Sequence, residues 1–373
     1  MDWLLPILEI LTPFLVVLTL LVFVHELGHY WVARRNGVKV LVFSIGFGPE
    51  IFGRTDRAGT RWRVSALPLG GYVKMLGDMD ATSRPDDESL GHLDEEERQQ
   101  AFPAKSIGAR AAIVAAGPVA NFLFAWVLLA FLFVAFGRPV TPAVVADVVP
   151  ESAAVTAGLQ TGDRILKVNG ADISRFEDIQ RAVQLNLDQP LNVLVQRDGQ
   201  DIALVARPQM IVETDPNGCE ITVARLGIAA TSTQVEHLGP FDSLWVAAAE
   251  TWSIGRDTLE GVWQIIVGTR TTDELGGPIR IAEVSGQVAQ IGIVSFIFFM
   301  ALLSVNLGLI NLFPIPMLDG GHLLFYAFEA LCGRPLGPRA QDVGFKIGLG
   351  LVLSLMVFVT ANDILRINAC AGA

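Results

Sequence analysis

His25, Glu26 and His29 form a His-Glu-x-x-His pattern. Residues four apart on an α-helix lie one turn from each other on the same face, so both imidazoles can reach a single metal ion while Glu26 stands beside it. That spacing suits zinc-assisted hydrolysis, in which protein ligands leave one coordination position open for water and a nearby carboxylate moves the proton. The ordinary alternative is a pair of helix histidines packed into a core. The setting favours the metal. Ile10 to Val24 carries no charge, and an ionisable group near the middle of a bilayer costs about 2.5–3.5 kcal/mol on insertion scales, so one found there needs a reason.

A catalytic zinc takes three protein ligands, and the stretch from Asn306 to His322 offers the rest. Asp319 closes a long uncharged run and is bracketed by Pro314, Pro316, Gly320 and Gly321, which interrupt a helix. Broken backbone at membrane depth is tolerated only where protein buries it or a watery cavity lies beside it. Asp319 is therefore the expected third ligand, with capping of the next helix as its plain alternative. His322 is the competing nitrogen ligand, or a group that orients a carboxylate from behind. Asn306 and Asn311 are amides on an apolar helix; they either bond a substrate backbone or join helices. The run Ala115 to Asn121 is small enough for close helix approach, which packing alone explains, and Asn121 is its candidate for a place behind a ligand.

The elements that must position these residues are mostly membrane spans. The chain of 373 residues is 51% hydrophobic and 17% charged, with a mean hydropathy of +0.47. That is too apolar for an ordinary soluble enzyme and too mixed for an all-membrane protein. Four stretches are long enough to cross a bilayer: about Trp3 to Val32, Ala111 to Gly137, Ile291 to Leu318 and Val343 to Ile364. Arg34, Arg35, Lys39, Lys105, Arg110, Arg334, Arg339 and Lys346 flank one side and only Arg138, Arg280 and Arg366 the other. Basic residues favour the cytoplasmic side, so both termini and the long segment between the second and third spans face away from it. No Lys or Arg precedes the first apolar run, which argues against a cleavable signal peptide.

Val38 to Ile45 and Arg61 to Ser65 are rich in β-branched and aromatic residues and read as a cytoplasmic β-hairpin. Its apolar tips, Ile45 to Gly48 and Leu67 to Tyr72, are expected to dip into the bilayer, with a small soluble sheet as the alternative. Asp86, Asp87, Glu88 and Asp94 to Glu97 read as a solvated, mobile loop, in which His92 is incidental. From about Val140 to Pro208 the text is that of a small soluble module. Short strands at Arg164 to Val168 and Asn192 to Gln196 are punctuated by Gly162-Asp163, Asn169-Gly170 and Asp198-Gly199, and Phe176 to Leu185 reads as a helix. The stretch Ser152 to Gly170 resembles bacterial PDZ domains, which add extended peptides to a sheet edge. Phe241, Leu244, Trp245, Ala248, Trp252, Leu259, Val262, Trp263 and Ile266 then recur at helical spacing, on a helix that lies at the membrane interface or beneath the module.

The net charge of −11 leaves no basic surface to compensate phosphates, which argues against nucleic acid as a partner. Cys219, Cys332 and Cys370 show no metal or redox spacing.

His25 to His29, Gly117-Pro118 with Asn121, the PDZ-like insert and Asn311 to Gly321 together resemble the site-2 protease family of intramembrane zinc metalloproteases, most closely its RseP-like bacterial members. The resemblance covers nearly the whole chain. It implies His25, His29 and Asp319 as Zn2+ ligands, Glu26 as the catalytic acid/base, Asn306 and Asn311 near the substrate, and a membrane-associated hairpin. It further implies a multi-pass protein of the bacterial inner membrane, with its termini and PDZ-like domain periplasmic. The substrates would be single-pass membrane proteins, such as an anti-sigma factor first trimmed by a site-1-type protease, or remnant signal peptides. RseP-type members carry two tandem PDZ domains, whereas this chain has text for one. A membrane zinc transporter and a non-hydrolytic PDZ scaffold are the alternatives; neither needs Glu26 as a base.

The expected architecture is a polytopic α-helical membrane protein with four transmembrane helices, a membrane-associated β-hairpin and an inserted α+β PDZ-like domain. Residues 1–35 are the first span and 36–107 a cytoplasmic loop with the hairpin and the acidic segment. Residues 108–138 are the second span, 139–230 the PDZ-like domain and 231–290 an amphipathic segment. The third span falls at 291–330, and 331–373 hold the fourth span and a short tail.

Overall fold

The computed structural model describes residues 4–78, 93–187, 189–214, 220–268 and 275–371. Asp86, Asp87, Glu88, His92 and Cys219 lie outside them. Four helices are long and apolar enough to cross a membrane: Leu8–Arg35, Ile107–Phe136, Ile293–Asn311 and Arg339–Ile367. Two compact units are present. The first comprises Met1–Phe131, Leu244–Gly255 and Gly276–Ala361, and the second Leu132–Ser243, Arg256–Leu275 and Asn362–Ala373.

In the first unit, helix α1 (Leu4–Arg35) buries one line of side chains, Val17, Leu21, His25, His29 and Ala33. This is an every-fourth-residue row, so the two imidazoles take inward positions on the same face as the packing residues. Opposite them runs α3 (Ile107–Phe136), whose start is capped by the Ser106 hydroxyl accepting the Ala109 N–H at 3.3 Å. The two helices cross without room for further atoms. A Cβ at Gly28 would run into the Ala116 carbonyl, and one at Gly117 into the rings of His29 and His25. Helix α8 (Ile293–Asn311) closes on α3, with Ser304 Oγ donating to the Asn121 carbonyl at 2.9 Å. Val17, Leu21 and Met300 form the apolar contact beside it, with Phe124, Leu303 and Leu307.

The text expected to continue as a third span to residue 330 is two helices. Helix α8 stops at Asn311, the chain turns through 312–318, and α9 (Asp319–Cys332) begins with Asp319 in its first turn. Pro314 and Pro316 have no N–H to extend the ladder, and Met317 adopts φ +93°, a conformation side chains rarely take. A final long helix, α10, covers Pro338–Ala371. Helix α7 (Pro278–Ile291) is a separate helix within the amphipathic segment expected at 231–290; it lies along α1, where a Cβ at Gly286 would come 3.0 Å from Ile10 Cα. Helix α6 (Pro240–Ile266) carries the amphipathic row, with Trp245, Trp252 and Trp263 exposed.

After α1 come two long strands, β1 (Val40–Thr55) and β2 (Arg61–Met75), which pair antiparallel. Residues 42–45 have partners in two parts of β2, Arg61 to Val64 and Gly71 to Lys74, while 50–55 pair with 61–65. Each strand thus folds over near its middle, residues 71–75 form one outer edge of the sheet and 50–55 the other. Phe47 and Leu67 are exposed at the fold-over, and Ile51 and Phe52 beside it at the start of the 50–55 edge. The inner part packs on α1, α3 and α9 through Val40, Phe43, Val73, Met75, Ile113, Val114 and Tyr326. Asp94 to Glu97, expected in a mobile loop, instead begin a short helix, α2 (Glu95–Gln99). Asp94 caps it by accepting the Glu97 N–H at 2.7 Å, and Glu97 pairs with Lys39 at 3.2 Å.

The second unit has a four-stranded sheet in the order β6-β5-β7-β8 (Ala171–Asp172, Arg164–Val168, Leu191–Arg197, Gln200–Ala206). Asn169-Gly170 and Asp198-Gly199 make its tight turns, all four residues at positive φ, which is the backbone that a two-residue hairpin loop needs. Two short helices, α4 (Ala153–Ala157) and α5 (Phe176–Asn186), contribute to its core with Ile165, Val193 and Val195. Strands β9 (Gln209–Thr214) and β10 (Glu220–Arg225) pair with each other, as do β4 (Val145–Val148) with β11 (Ile228–Ala230) and β3 (Arg138–Val140) with β12 (Gln234–Glu236). A cavity of about 470 Å³ lies among Phe176, Ile179 and Val183 of α5, Ile211 of β9 and Leu226 to Ile228.

Candidate metal centre and its cavity

Three side-chain atoms converge in the first unit. His25 Nε2 and His29 Nε2 are 3.2 Å apart, and Asp319 Oδ2 is 3.2 Å from the first and 3.6 Å from the second. Among the described residues, this is the group of His, Cys, Asp and Glu side chains able to hold a metal ion. The backs of the rings explain why those atoms point inward. His29 Nδ1 lies 2.9 Å from the Ile113 carbonyl, which can only accept, so the ring N–H is spent there and Nε2 carries a lone pair. His25 Nδ1 is 3.3 Å from the Asn121 amide, whose oxygen as placed is buried without a partner among the described residues. Turning that amide end for end gives its oxygen the His25 N–H and frees the second Nε2 as well. Two lone pairs and a carboxylate then meet with no proton between them, an arrangement that only a cation stabilises.

Zinc fits this set. Tetrahedral zinc with bonds of about 2.0–2.1 Å holds its ligand atoms about 3.3–3.4 Å apart, which the spacings above bracket. Two imidazoles and a carboxylate are also the donor types that zinc accepts, and three ligands leave one position open.

Around the centre is a cavity of about 200 Å³ lined by His25, Glu26 and His29 of α1, Gly71, Tyr72, Val73 and Met75 of β2, Val114 of α3, and Asn311, Met317, Leu318, Asp319 and His322. The Val73 N–H donates to the Glu26 carboxylate, so the outer edge of the sheet lies against that carboxylate. Gly71 leaves no room for a side chain there: a Cβ would sit 3.2 Å from Glu26 Cγ and 2.9 Å from Val22 Cγ1.

Of the residues singled out in the sequence, His25, Glu26, His29, Asp319, Asn311 and His322 share this cavity, and Asn121 touches His25. Asn311 also donates to the Leu307 carbonyl at 3.0 Å. His322 is outside the converging trio; its ring packs on Phe345 at 5.4 Å between centroids. Asn306 is half-buried on α8 and is not on the cavity wall. The sequence points to a strand of this hairpin, Val38 to Ile45 or Arg61 to Leu69, as the edge near the metal; the wall is instead formed just beyond, at 71–75, where Gly70-Gly71 inside strand text signals a close backbone approach. Sequence reasoning gave Gly117 a packing role alone, whereas the structure sets that residue against both imidazoles. No residue type could have announced the Ile113 carbonyl, since every residue has one.

A His-Glu-x-x-His pair completed by a distant carboxylate, set in an apolar helix, defines a metallopeptidase of membrane type. A family model described as peptidase family M50 matches residues 13–355. A protein of Rhizobium meliloti named as a zinc metalloprotease is 49% identical over 355 residues, spanning 94% of this chain and 95% of its own length. One of Agrobacterium fabrum, named likewise, is 46% identical over 358 residues, spanning 95% of each. Metalloprotease MmpA of Caulobacter vibrioides is 36% identical over 379 residues, again spanning 95% of each. The chain belongs to peptidase family M50, the site-2 protease family, and is a zinc metalloprotease with four helices fit to span a membrane. The transporter and scaffold readings are not favoured.

Proposed function

We propose that this protease hydrolyses peptide bonds within or near the membrane-spanning segment of single-pass membrane proteins, with His25, His29 and Asp319 as zinc ligands and Glu26 as the acid/base. The observation that carries the reading is the convergence of the three ligand atoms beside Glu26, on a span whose run from Ile10 to Val24 is uncharged. Zinc held by His25, His29 and Asp319 would supply Lewis acidity, which lowers the pKa of a water towards about 7 and polarises a carbonyl. Glu26 takes the proton of the attacking water and passes it to the leaving amine. Val73, by its N–H, holds the Glu26 carboxylate in place.

A helical substrate must unwind before attack, because its peptide groups are locked in their own ladder. In an apolar setting each freed N–H or C=O costs several kcal/mol unless it is paired. The outer edge of β2 at 71–75 is the strand edge beside the metal site and supports clamping of the extended substrate by strand addition. Asn311 on the same wall is the side-chain candidate for the substrate backbone; Asn306 is held in second place.

The exposed apolar side chains Phe47 and Leu67 at the fold-over, with Ile51 and Phe52 next to it, support insertion of this end of the sheet into the bilayer. The compact insert, with its groove between α5 and Leu226 to Ile228, supports a PDZ-like peptide module. The distribution of Lys and Arg favours a multi-pass inner-membrane protein with its termini and module periplasmic. A trimmed anti-sigma factor or a remnant signal peptide is the substrate this architecture would suit, with a site-1-type protease acting first. The test is reconstitution with zinc and tagged single-pass substrates. Glu26→Gln is expected to lower turnover by about 10²–10⁴-fold while zinc stays bound, and Asp319→Ala to lose both. Undiminished cleavage by Glu26→Gln, or full zinc content in Asp319→Ala, would overturn the assignment.

A further inference from the structure

Asp319 is delivered by a strained loop, and the loop has no ladder of its own to hold it. Through 312–318 the backbone bonds are short-range, such as the Ile315 N–H to the Phe313 carbonyl at 2.7 Å and the Leu318 N–H to the Ile315 carbonyl at 3.0 Å. Met317 sits at φ +93° in its middle, a strained conformation that persists only where surroundings enforce it. On one side, α9 meets the loop at Gly320 and Gly321, where a Cβ would strike the Leu312, Phe313 and Ile315 carbonyls. The opposing surface is α10. Its buried Gly348 lies so close to Pro316 that a Cβ would run into the Pro316 carbonyl oxygen. One turn earlier, a Cβ at Gly344 would meet Phe325 Cζ at 3.3 Å and Pro316 Cγ at 3.7 Å. Between them Phe345, 3% exposed, packs on the rings of His322 and Phe325 of α9.

We infer that the fourth span is the back wall of the metal site: Gly348, with Gly344 and Phe345, holds the Pro316–Met317 backbone in its strained form and so sets the position of Asp319. These are positioning residues, since none of them is on the cavity wall. The inference rests on Asp319 being a zinc ligand. A side chain at 348 must push the Pro316 carbonyl away, and with it the start of α9, because the intervening loop is too short to absorb the shift.

The same helix supplies the control. Gly350 is exposed and has nothing within 4 Å of a Cβ. The measurement is zinc transfer from the purified holoprotein in detergent to a chromophoric chelator, with thermal unfolding of the zinc-free protein and turnover followed in parallel. Gly348→Ala is expected to weaken zinc retention about 10–100-fold, the range found when groups supporting a ligand are removed. Gly344→Ala should give a smaller loss in the same direction and Gly350→Ala none. If Gly348→Ala does not fold, the comparison of Gly344→Ala with Gly350→Ala decides. Zinc retention unchanged in Gly348→Ala or Gly344→Ala, with only the unfolding temperature lowered, would leave α10 a purely structural helix and overturn the inference. Full zinc content in Asp319→Ala would instead sink the ligand assignment on which it rests, so the two failures are distinguishable.

Discussion

At the scale of single residues, the site depends on what is missing as much as on what is present. Gly117 is the clearest case, because its hydrogen leaves the space that the edges of His29 and His25 fill. Gly117→Ala is expected to displace at least one imidazole and weaken zinc retention about 10–100-fold. Gly108→Ala, in open space near the start of the same helix, should bind zinc as the parent does in the same chelator assay. Asn121 acts from behind His25 by fixing which ring nitrogen bears the proton. Asn121→Asp keeps an acceptor for that N–H and is expected to retain zinc, whereas Asn121→Leu removes it and should release zinc faster. Equal off-rates for the two would take Asn121 out of the site. His25, Glu26 and His29 were legible from their spacing, since four residues on a helix mean one face. Asp319 was legible less directly, from a carboxylate placed after prolines at the end of an uncharged run.

At the scale of elements, the edge of β2 and the sheet of the inserted module each make a distinct claim. Alternate residues of an edge strand turn their N–H and C=O outward, and the Val73 N–H reaching Glu26 marks the outward register. Val73→Pro removes that donor and is expected to cut turnover of a helical substrate at least about tenfold, with zinc content unchanged. Undiminished turnover in folded protein would show that Glu26 does not need the Val73 N–H to hold it in place. In the module, Asp163 is fully buried, and Arg197 grips it with two hydrogen bonds of 2.7 Å. Burial pushes its carboxyl up, but the Arg197 bonds and the Gln160 N–H outweigh that and hold it below the usual carboxylate range. Unfolding therefore takes up a proton in acid. The stabilisation is complete above the unfolded carboxyl value near pH ~4 and is lost as pH falls through the folded one. Arg197→Ala should destabilise the module by about 3 kcal/mol, because a buried charge loses its partner. Hydrogen exchange of β5 and β7 in the full chain, followed from neutral pH into acid, would read both effects.

At the scale of the whole molecule, the inserted module is expected to admit trimmed substrates and to reject untrimmed ones. Deleting residues 139–230 should permit cleavage of an untrimmed substrate that the intact protein rejects, read by the appearance of the cleaved product on a gel. Continued rejection would leave the module a recruiting or structural role. Orientation has an equally direct readout. Cys332 is free and exposed at the C-terminal end of α9, on the side that the basic residues assign to the cytoplasm. With Cys219→Ser and Cys370→Ser in place, an impermeant thiol reagent should label inside-out vesicles and spare intact spheroplasts; the reverse pattern would invert the topology.

What the sequence determined by itself is the chemistry and the medium. The His-Glu-x-x-His spacing, the uncharged runs and the breakers before Asp319 are local signals, and helix periodicity, bilayer thickness and proline's missing N–H translate them without knowledge of distant contacts. What only the tertiary structure decided is everything that depends on two segments meeting. Gly117 differs from other small helix residues because α1 happens to cross there. Residues 71–75 are an edge because both long strands fold over, which alternation within one strand cannot reveal. Asp94 to Glu97 looked like loop on charge alone, yet a cap at Asp94 and the pairing of Glu97 with Lys39, 58 positions away, hold them in a helix. Gly348 matters through Pro316, 32 positions earlier, and no local pattern in either segment names the other.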